Sequence, residues 1–444
     1  MKAIQRFYLV FAAALSALWW LADSSWVGSG NYFAWRSAFT NLTGELGIAV
    51  MSVAMVLAVR PRRAEPGLGG LDKMYRLHKW LGITGLVLAI VHWALAKSPR
   101  YLIDLGWVTR PVRPPRAPES NPVFQFFREQ RHLAETIGEY AFYAVVVLLA
   151  LALIKRFPYK AFFRTHRWIA VVYLALVLHS VLLMPFGWWS GALGPLMTLL
   201  MAAGSVAAVV SLRRRVGIDR QVQAEVDAVE FHEAAQVLQV DLRLQGPWAG
   251  HQAGQFAFVG FDPAEGPHPY TIASAWQGDG RLRFVIKALG DHTRALQRSL
   301  KVGTRCTVEG PYGRFVFDGA ARRQIWVAGG IGITPFLARM AACASATGTD
   351  APAVDLFWSV RSLEDTVRAR VQASAERARV RLHLIVDDGA GRLDADRITA
   401  AVPDWQGADV WFCGPAGFGR ALRRAFGRLG LGSGRFHQEL FQMR

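Results

Sequence analysis

Four histidines lie on two apolar segments at nearly matched spacing: His78 and His92 are 14 residues apart, His166 and His179 are 13 apart. At about 1.5 Å of rise per helical residue, each pair spans roughly 20 Å of helix axis. That is about two-thirds of a bilayer's hydrocarbon core. Ionisable side chains are costly in hydrocarbon, so four of them demand a partner. Two neighbouring helices carrying such pairs offer two stacked His–His sites, one near each membrane face. Neutral imidazole is a common haem ligand, and two b-type haems fit this spacing, with His78 facing His166 and His92 facing His179. Two imidazoles per iron leave no open coordination position, so such haems carry electrons rather than bind gas. Fourteen residues is close to four turns and keeps one helix face, whereas thirteen falls about 0.4 turn short. His166 therefore sits just before regular helix, or its helix contains a π-bulge. Gly82 and Gly85 either let a macrocycle approach the backbone or serve close helix packing.

Six apolar spans surround these histidines, at roughly 7–21, 42–59, 77–96, 137–154, 168–184 and 192–210. Lys2 and Arg6 before a short apolar core also suit a signal peptide, but no clear A-x-A site follows, which favours a retained span. A formal charge of +18 raises the question of nucleic acid. No basic, aromatic-interleaved run supports that, and no nucleic-acid partner is expected. The basic residues instead cluster beside the spans: Arg60, Arg62, Arg63, Lys73 and Arg76; Lys155, Arg156, Lys160, Arg164 and Arg167; and Arg213, Arg214 and Arg215. With six spans all three clusters share one side with both termini, and the positive-inside rule makes that side cytoplasmic. An integral protein of a bacterial inner membrane follows, with the lipid bilayer as a partner. The stretch 97–135 complicates this: it carries seven Lys/Arg, over a longer run rich in proline, and falls outside. Its tail, 123–134, reads as an ordinary external loop, with an interfacial helix as the alternative. Arg36, near the outer end of the second span, suits a haem propionate, an anionic acceptor or a plain interface anchor. The three cysteines, Cys306, Cys343 and Cys413, lie in the second half without CxxC spacing, so neither a disulfide framework nor a thiolate metal site follows.

After Arg215 the texture changes. Short alternating stretches such as VLQVDLRL, QFAFVGF and RLRFVIKAL, broken by Gly and Pro, predict a small antiparallel β-barrel. From Arg323, apolar strands alternate with helices, which predicts an α/β doubly wound parallel sheet. The expected architecture is a membrane α-helical bundle over 1–215, a flavin-binding β-barrel over 216–320 and an α/β nucleotide-binding domain over 321–444.

The barrel carries His268-Pro269-Tyr270-Thr271-Ile272-Ala273-Ser274. A strand-borne Thr or Ser hydroxyl can donate to a flavin ring nitrogen, an aromatic can stack beside the ring, and His268 suits the diphosphate or ribityl end. Lys287 and Thr293 could meet phosphate near a helix N-terminus, where N–H groups favour anions. Glu309-Gly310-Pro311-Tyr312-Gly313 supplies a tight turn. Gly329-Gly330-Ile331-Gly332-Ile333-Thr334-Pro335 follows a strand and opens a helix, the context in which glycine lets a backbone approach a diphosphate. The next strand ends at Ser359 and Arg361, and an arginine there suits the 2′-phosphate of NADPH, with NADH also possible. Cys413 and Gly414 close another strand, where a small side chain could border the nicotinamide. Phe441 is either a lid over the flavin or simple packing.

In this order the motifs resemble the ferric reductase / NADPH oxidase superfamily. The resemblance rests on the 14/13 histidine spacing, HPYTIAS, VEGPYG, GGIGITP, CGP and a C-terminal E-x-F, and covers nearly the whole chain. It implies haem ligation by His78, His92, His166 and His179. It also implies FAD contacts by His268, Tyr270, Thr271 and Ser274, nucleotide contacts by Gly330, Thr334, Arg361, Cys413 and Gly414, and a closing aromatic at Phe441. The implied activity is a transmembrane relay from NADPH through FAD and two haems to a small acceptor, either dioxygen giving superoxide or a ferric chelate. Two alternatives stay open. One is a reductase subunit serving a protein partner; the other is a membrane half that only anchors or transports.

Overall fold

The structure is a computed structural model describing residues 2–24, 26–110, 119–154, 156–233, 235–345, 352–386 and 393–439. The chain divides after Val216 into two units. The first contains α1 (Lys2–Ala22), α2 (Tyr32–Ala58), α3 (Ala64–Leu68), α4 (Leu71–Asp104), α5 (Pro122–Glu129), α6 (Arg131–Leu153), α7 (Tyr159–His166), α8 (Ile169–Leu183), α9 (Phe186–Trp189) and α10 (Leu193–Leu212). Among the described residues six helices are long and apolar enough to cross a membrane: α1, α2, α4, α6, α7 with α8, and α10.

Local chemistry sets the helix ends. Asn31 caps α2 by accepting from the Phe33 N–H at 2.8 Å. Asn121 caps α5, with Pro122 at the first helical position, where its missing N–H costs nothing. The stretch read as an ordinary external loop thus contains a helix, α5, whose Phe124 stacks on Phe186 of α9 at 4.1 Å. Helix α4 runs unbroken for 34 residues through Pro99, although proline removes one helical donor. The carbonyl of Leu95 that it leaves is met by Arg36 Nε at 2.8 Å and by the Ser98 hydroxyl at 2.8 Å, and Arg36 Nη2 donates to Ala96 at 2.7 Å. Arg36 is therefore tied to the backbone of α4. In the bundle centre the Ser52 and Tyr173 hydroxyls meet at 2.8 Å, and Gly204 leaves room for the Tyr173 ring tip against α2. Gly85 packs on Met51 and Val50, so it serves helix packing.

The second unit begins with an antiparallel sheet of β1 (Gln221–His232), β2 (Val237–Leu244), β3 (Phe256–Gly260), β4 (His268–Thr271), β5 (Arg281–Lys287) and β6 (Arg305–Tyr312), in the order β4-β3-β6-β1-β2-β5. Apolar residues alternate inward along β2 and β5, as period-two strands require. The edge strands meet through one bridge, Ile272–Phe284, rather than a full ladder, so the closure expected of a barrel is limited to that point. Helix α11 (Asp291–Ser299) lies between β5 and β6.

A parallel sheet follows: β7 (Arg323–Gly329), β8 (Ala353–Val360), β9 (Val380–Val386), β10 (Asp409–Cys413) and β11 (Phe436–Gln438), in the order β11-β10-β7-β8-β9. The three-residue β11, which the sequence reading had not singled out, pairs with β10 in register Val410–Phe436. Helices α12 (Thr334–Ser345), α13 (Asp365–Arg377), α14 (Ala395–Ala401) and α15 (Ala416–Arg428) alternate with the strands. Two apolar clusters form, one around Trp326, Phe336 and Trp411 and the other around Ile325, Phe412 and Phe426. Burial of each large side chain contributes about 1.5–3 kcal/mol. Strand order reverses between β7 and β10, the topological switch point at which open α/β sheets bind ligands.

Candidate functional sites

In the first unit, α4 presents His78 and His92, α7 ends on His166, and α8 carries His179. The rings pair as His78–His166, with centroids 6.0 Å apart, and His92–His179, 6.3 Å apart. A metal–imidazole bond of about 2 Å on each side puts ring centroids roughly 6 Å apart. The 13-residue shortfall is absorbed at Arg167 and Trp168, a turn between α7 and α8, so His166 precedes the regular helix.

Backbone carbonyls orient three of the rings. Nδ1 of His78 donates to Ala54 at 2.9 Å, that of His92 to Thr40 at 2.9 Å, and that of His179 to Ala134 at 2.8 Å. A carbonyl can only accept, so each Nδ1 bears the proton and Nε2 keeps its lone pair. Metal-ligating histidines are commonly held this way. Gly44 sits against the His92 ring, with 3.0 Å from its would-be Cβ to Cε1, and Gly138 lies still closer to His179. Sequence reading passed over both glycines. Finding them needs the pairing of helices, which no local pattern carries.

In the second unit, β4, β5 and the C-terminal ends of β7, β8 and β10 line a cleft of about 2300 Å³. Pockets for single small ligands are about 300–1,000 Å³, so this cleft has room for a dinucleotide and a second nucleotide beside it. His268, Pro269, Tyr270, Thr271, Ser274, Lys287 and Thr293 line one side; Gly329, Gly330, Gly332, Thr334, Ser359, Arg361, Cys413 and Gly414 line the other. Gly330 has φ +56 with open space where a Cβ would project, so a ligand's phosphate can approach its backbone. Gly332 packs on the Cys413 carbonyl, and a Cβ on Gly414 would come within 2.9 Å of the Gly329 Cα, so the two turns fit only as glycine.

Several expected contacts fall elsewhere. Gly310 and Gly313 do not line the cleft; Gly310 lies against Ala257, and Gly313 against Phe256 and Glu439. Pro335 is buried in the first turn of α12. The Thr293 hydroxyl accepts from the Leu289 and Gly290 N–H groups at 3.0 and 3.1 Å, which secures the start of α11. The Ser274 hydroxyl accepts from the Arg283 N–H at 3.1 Å while lining the cleft. Phe441 lies outside the described residues.

Burial, reinforced by the neighbouring His292, pushes His268 down to about 4. Burial and then the Glu439 carboxylate push the Cys413 thiol well above its ordinary value, which favours the neutral thiol. His292, next to Thr293, is not singled out by the sequence because nothing local distinguishes it from a helix-surface histidine.

Residues 43–177 match the family described as "Ferric reductase like transmembrane component", and residues 221–316 match "FAD-binding domain". The stachydrine N-demethylase reductase subunit of Rhizobium meliloti is 28% identical over 211 residues, 44% of this chain and 60% of that protein. An NADPH oxidoreductase of Mycobacterium tuberculosis is 29% identical over 201 residues, 43% of this chain and 52% of that protein. The chain thus spans only part of the length of these curated relatives. Among solved structures, an Amycolatopsis cytochrome P450 reductase is 25% identical, covering 50% of this chain and 70% of that one, with a TM-score of 0.43. A flavohemoglobin from Malassezia yamatoensis is 16% identical, covering 91% and 97%, with a TM-score of 0.49.

Proposed function

From the premise that the chain belongs to the ferric reductase / NADPH oxidase superfamily, we propose that it carries electrons from NADPH across a bilayer to a small acceptor. It is an NAD(P)H oxidoreductase with an FAD-binding module. The finer reading is that two b-type haems lie between His78 and His166 and between His92 and His179, with the FAD and NADPH sites in the cytoplasm of a bacterial cell. The observation that carries it is the pair of imidazole clamps, at 6.0 and 6.3 Å. When bound, FAD exchanges a hydride for single electrons and bis-imidazole iron passes single electrons on.

The chain's own groups bind and orient. The Gly330 turn and the N-terminus of α12 offer N–H groups to a diphosphate, and Arg361, exposed at the end of β8, offers a fork to a 2′-phosphate. Thr271, on β4 and lining the cleft, would offer a hydroxyl to the flavin ring, and His268 and Lys287 suit its phosphates. Cys413 would border the nicotinamide with a small side chain. Carbonyl-held Nδ1 atoms keep His78, His92 and His179 in the ligating tautomer.

Dioxygen and ferric chelates are both served by such a relay. A protein acceptor is the second reading, favoured by relatives named as reductase subunits of a demethylase and of a carnitine monooxygenase. The test is the absorption spectrum of the purified membrane protein before and after NADPH, followed by comparison of superoxide yield with ferric-chelate reduction. Sharp reduced α-bands are expected, with one of two haems lost in His92→Ala or His179→Ala. A haem-free protein would end the relay reading, and turnover with neither small acceptor would favour the protein partner.

A further inference from the structure

The loop before β4 and the start of α11 bring together side chains that the flavin reading does not use. His292, the second residue of α11, stacks face to face on His268, with centroids 3.7 Å apart and planes 11° apart. Its Nε2 lies 3.1 Å from the Tyr270 hydroxyl, and its Nδ1 lies 3.5 Å from a Glu265 carboxylate oxygen. The nitrogen and oxygen atoms of Glu265, His268 and His292 fall within 4.8 Å of one another. Such closeness raises a metal ion, but the ring orientation opposes one. Imidazole lone pairs lie in the ring planes, and two parallel planes do not aim them at a common point. A stacked imidazole pair beside a carboxylate is suited to hold one proton, since a second would repel the first at this distance.

We propose that His292 is a flavin-positioning residue that holds His268 and Tyr270 in place and, with Glu265, admits one proton to the imidazole pair when the flavin diphosphate binds. The proposal rests on the placement of FAD against β4. The groups facing His292 are Glu265 and Asp262 from the loop before β4, together with His268 and Tyr270 on β4. On its own helix, Asp291 and Arg294 pair with each other at 2.9 Å. Burial lowers His292 even against the opposing pull of Glu265 and Asp262, and burial with His292 takes His268 to about 4. The pair is thus neutral near pH 7 before FAD arrives. An incoming dianion stabilises an imidazolium beside it, so a proton passes from water to a ring nitrogen as the complex forms. By linkage, FAD affinity falls as pH rises between the pair's values in the free and bound protein.

The experiment titrates FAD into the full-length apoprotein in detergent and follows quenching of flavin fluorescence at successive pH values. Wild type should lose affinity with rising pH, by up to about tenfold per unit for one linked proton. His292→Phe keeps a stacked ring without its nitrogens and should flatten the profile while binding more weakly at low pH. His292→Gln keeps a hydrogen-bonding group for Tyr270 but cannot hold the charge; it should also be flat, with near wild-type affinity at the alkaline end. A wild-type slope retained in both variants overturns the proposal, and so does a flat wild-type profile. His268→Ala and Thr271→Val examine the underlying placement separately. If neither weakens FAD binding, the flavin reading of β4 fails; if both weaken it while the His292 variants keep the slope, only the role of His292 fails.

Discussion

At the scale of single residues, small side chains decide whether large ones reach their positions. A Cβ on residue 138 would overlap the ring of His179, and that ring is held by its bond to Ala134, one turn earlier on the same helix. Gly138→Ala should therefore displace the imidazole, cost about 1–3 kcal/mol as an overpacked site, and, on the proposed two-haem arrangement, remove one low-spin haem signal. Gly82→Ala is the contrast: the nearest atom, on Leu149, would be 3.9 Å away, and the spectrum should be unchanged. Arg361 offers a test of nucleotide choice. It lines the cleft at the end of β8, and its fork matches a phosphate. Arg361→Ala should raise KM for NADPH several-fold and leave KM for NADH nearly unchanged; equal losses would remove the 2′-phosphate role. Cys413 is buried and its thiol is held protonated. It should resist alkylation, and the half-buried Cys343 should be labelled before it, as mass spectrometry of the labelled protein would show.

At the scale of elements, α4 is the longest helix among the described residues and tolerates a proline because another helix repairs the defect. Arg36 of α2 donates to Leu95 and Ala96 at 2.8 and 2.7 Å. Hydrogen bonds from a charged donor are worth about 1.5–3 kcal/mol each, and partial exposure reduces that. Arg36→Ala should destabilise the bundle by about 2 kcal/mol, read as a lower melting temperature in detergent. Pro99→Ala in the same background should recover part of the loss, since residue 99 again donates to the Leu95 carbonyl. Additive effects of the two substitutions would mean that Arg36 acts elsewhere, at an acceptor or a propionate. The break between α7 and α8 is a similar local solution: a turn at Arg167 and Trp168 lets His166 and His179 both meet α4, where an unbroken helix would set them on diverging faces.

At the scale of the whole molecule, the charge pattern predicts an orientation. With Arg60, Arg62 and Arg63 between α2 and α4, and Arg213, Arg214 and Arg215 after α10, basic residues concentrate at one end of the spans. A fluorescent protein fused after the second unit should fluoresce, and alkaline phosphatase fused between α4 and α5 should be active. The reverse pattern would put the nucleotide cleft outside, away from its cofactor.

Six spans, two histidine pairs, a strand bearing HPYT and a glycine turn opening a helix were all legible in the sequence, because each rests on a local period or a local backbone need. Helical and strand periods, membrane length and charge asymmetry are properties of neighbours along the chain. What only the tertiary structure decided are contacts between elements distant in sequence. Gly44 against His92, Gly138 against His179, Arg36 on the carbonyl left by Pro99, and His292 stacked on His268 follow from which elements lie side by side. So do the inward placement of Gly310 and Gly313 and the diversion of the Thr293 hydroxyl to its own helix start. A residue's type states what bonds it can make; which bond it makes depends on the partner that folding brings within about 3 Å.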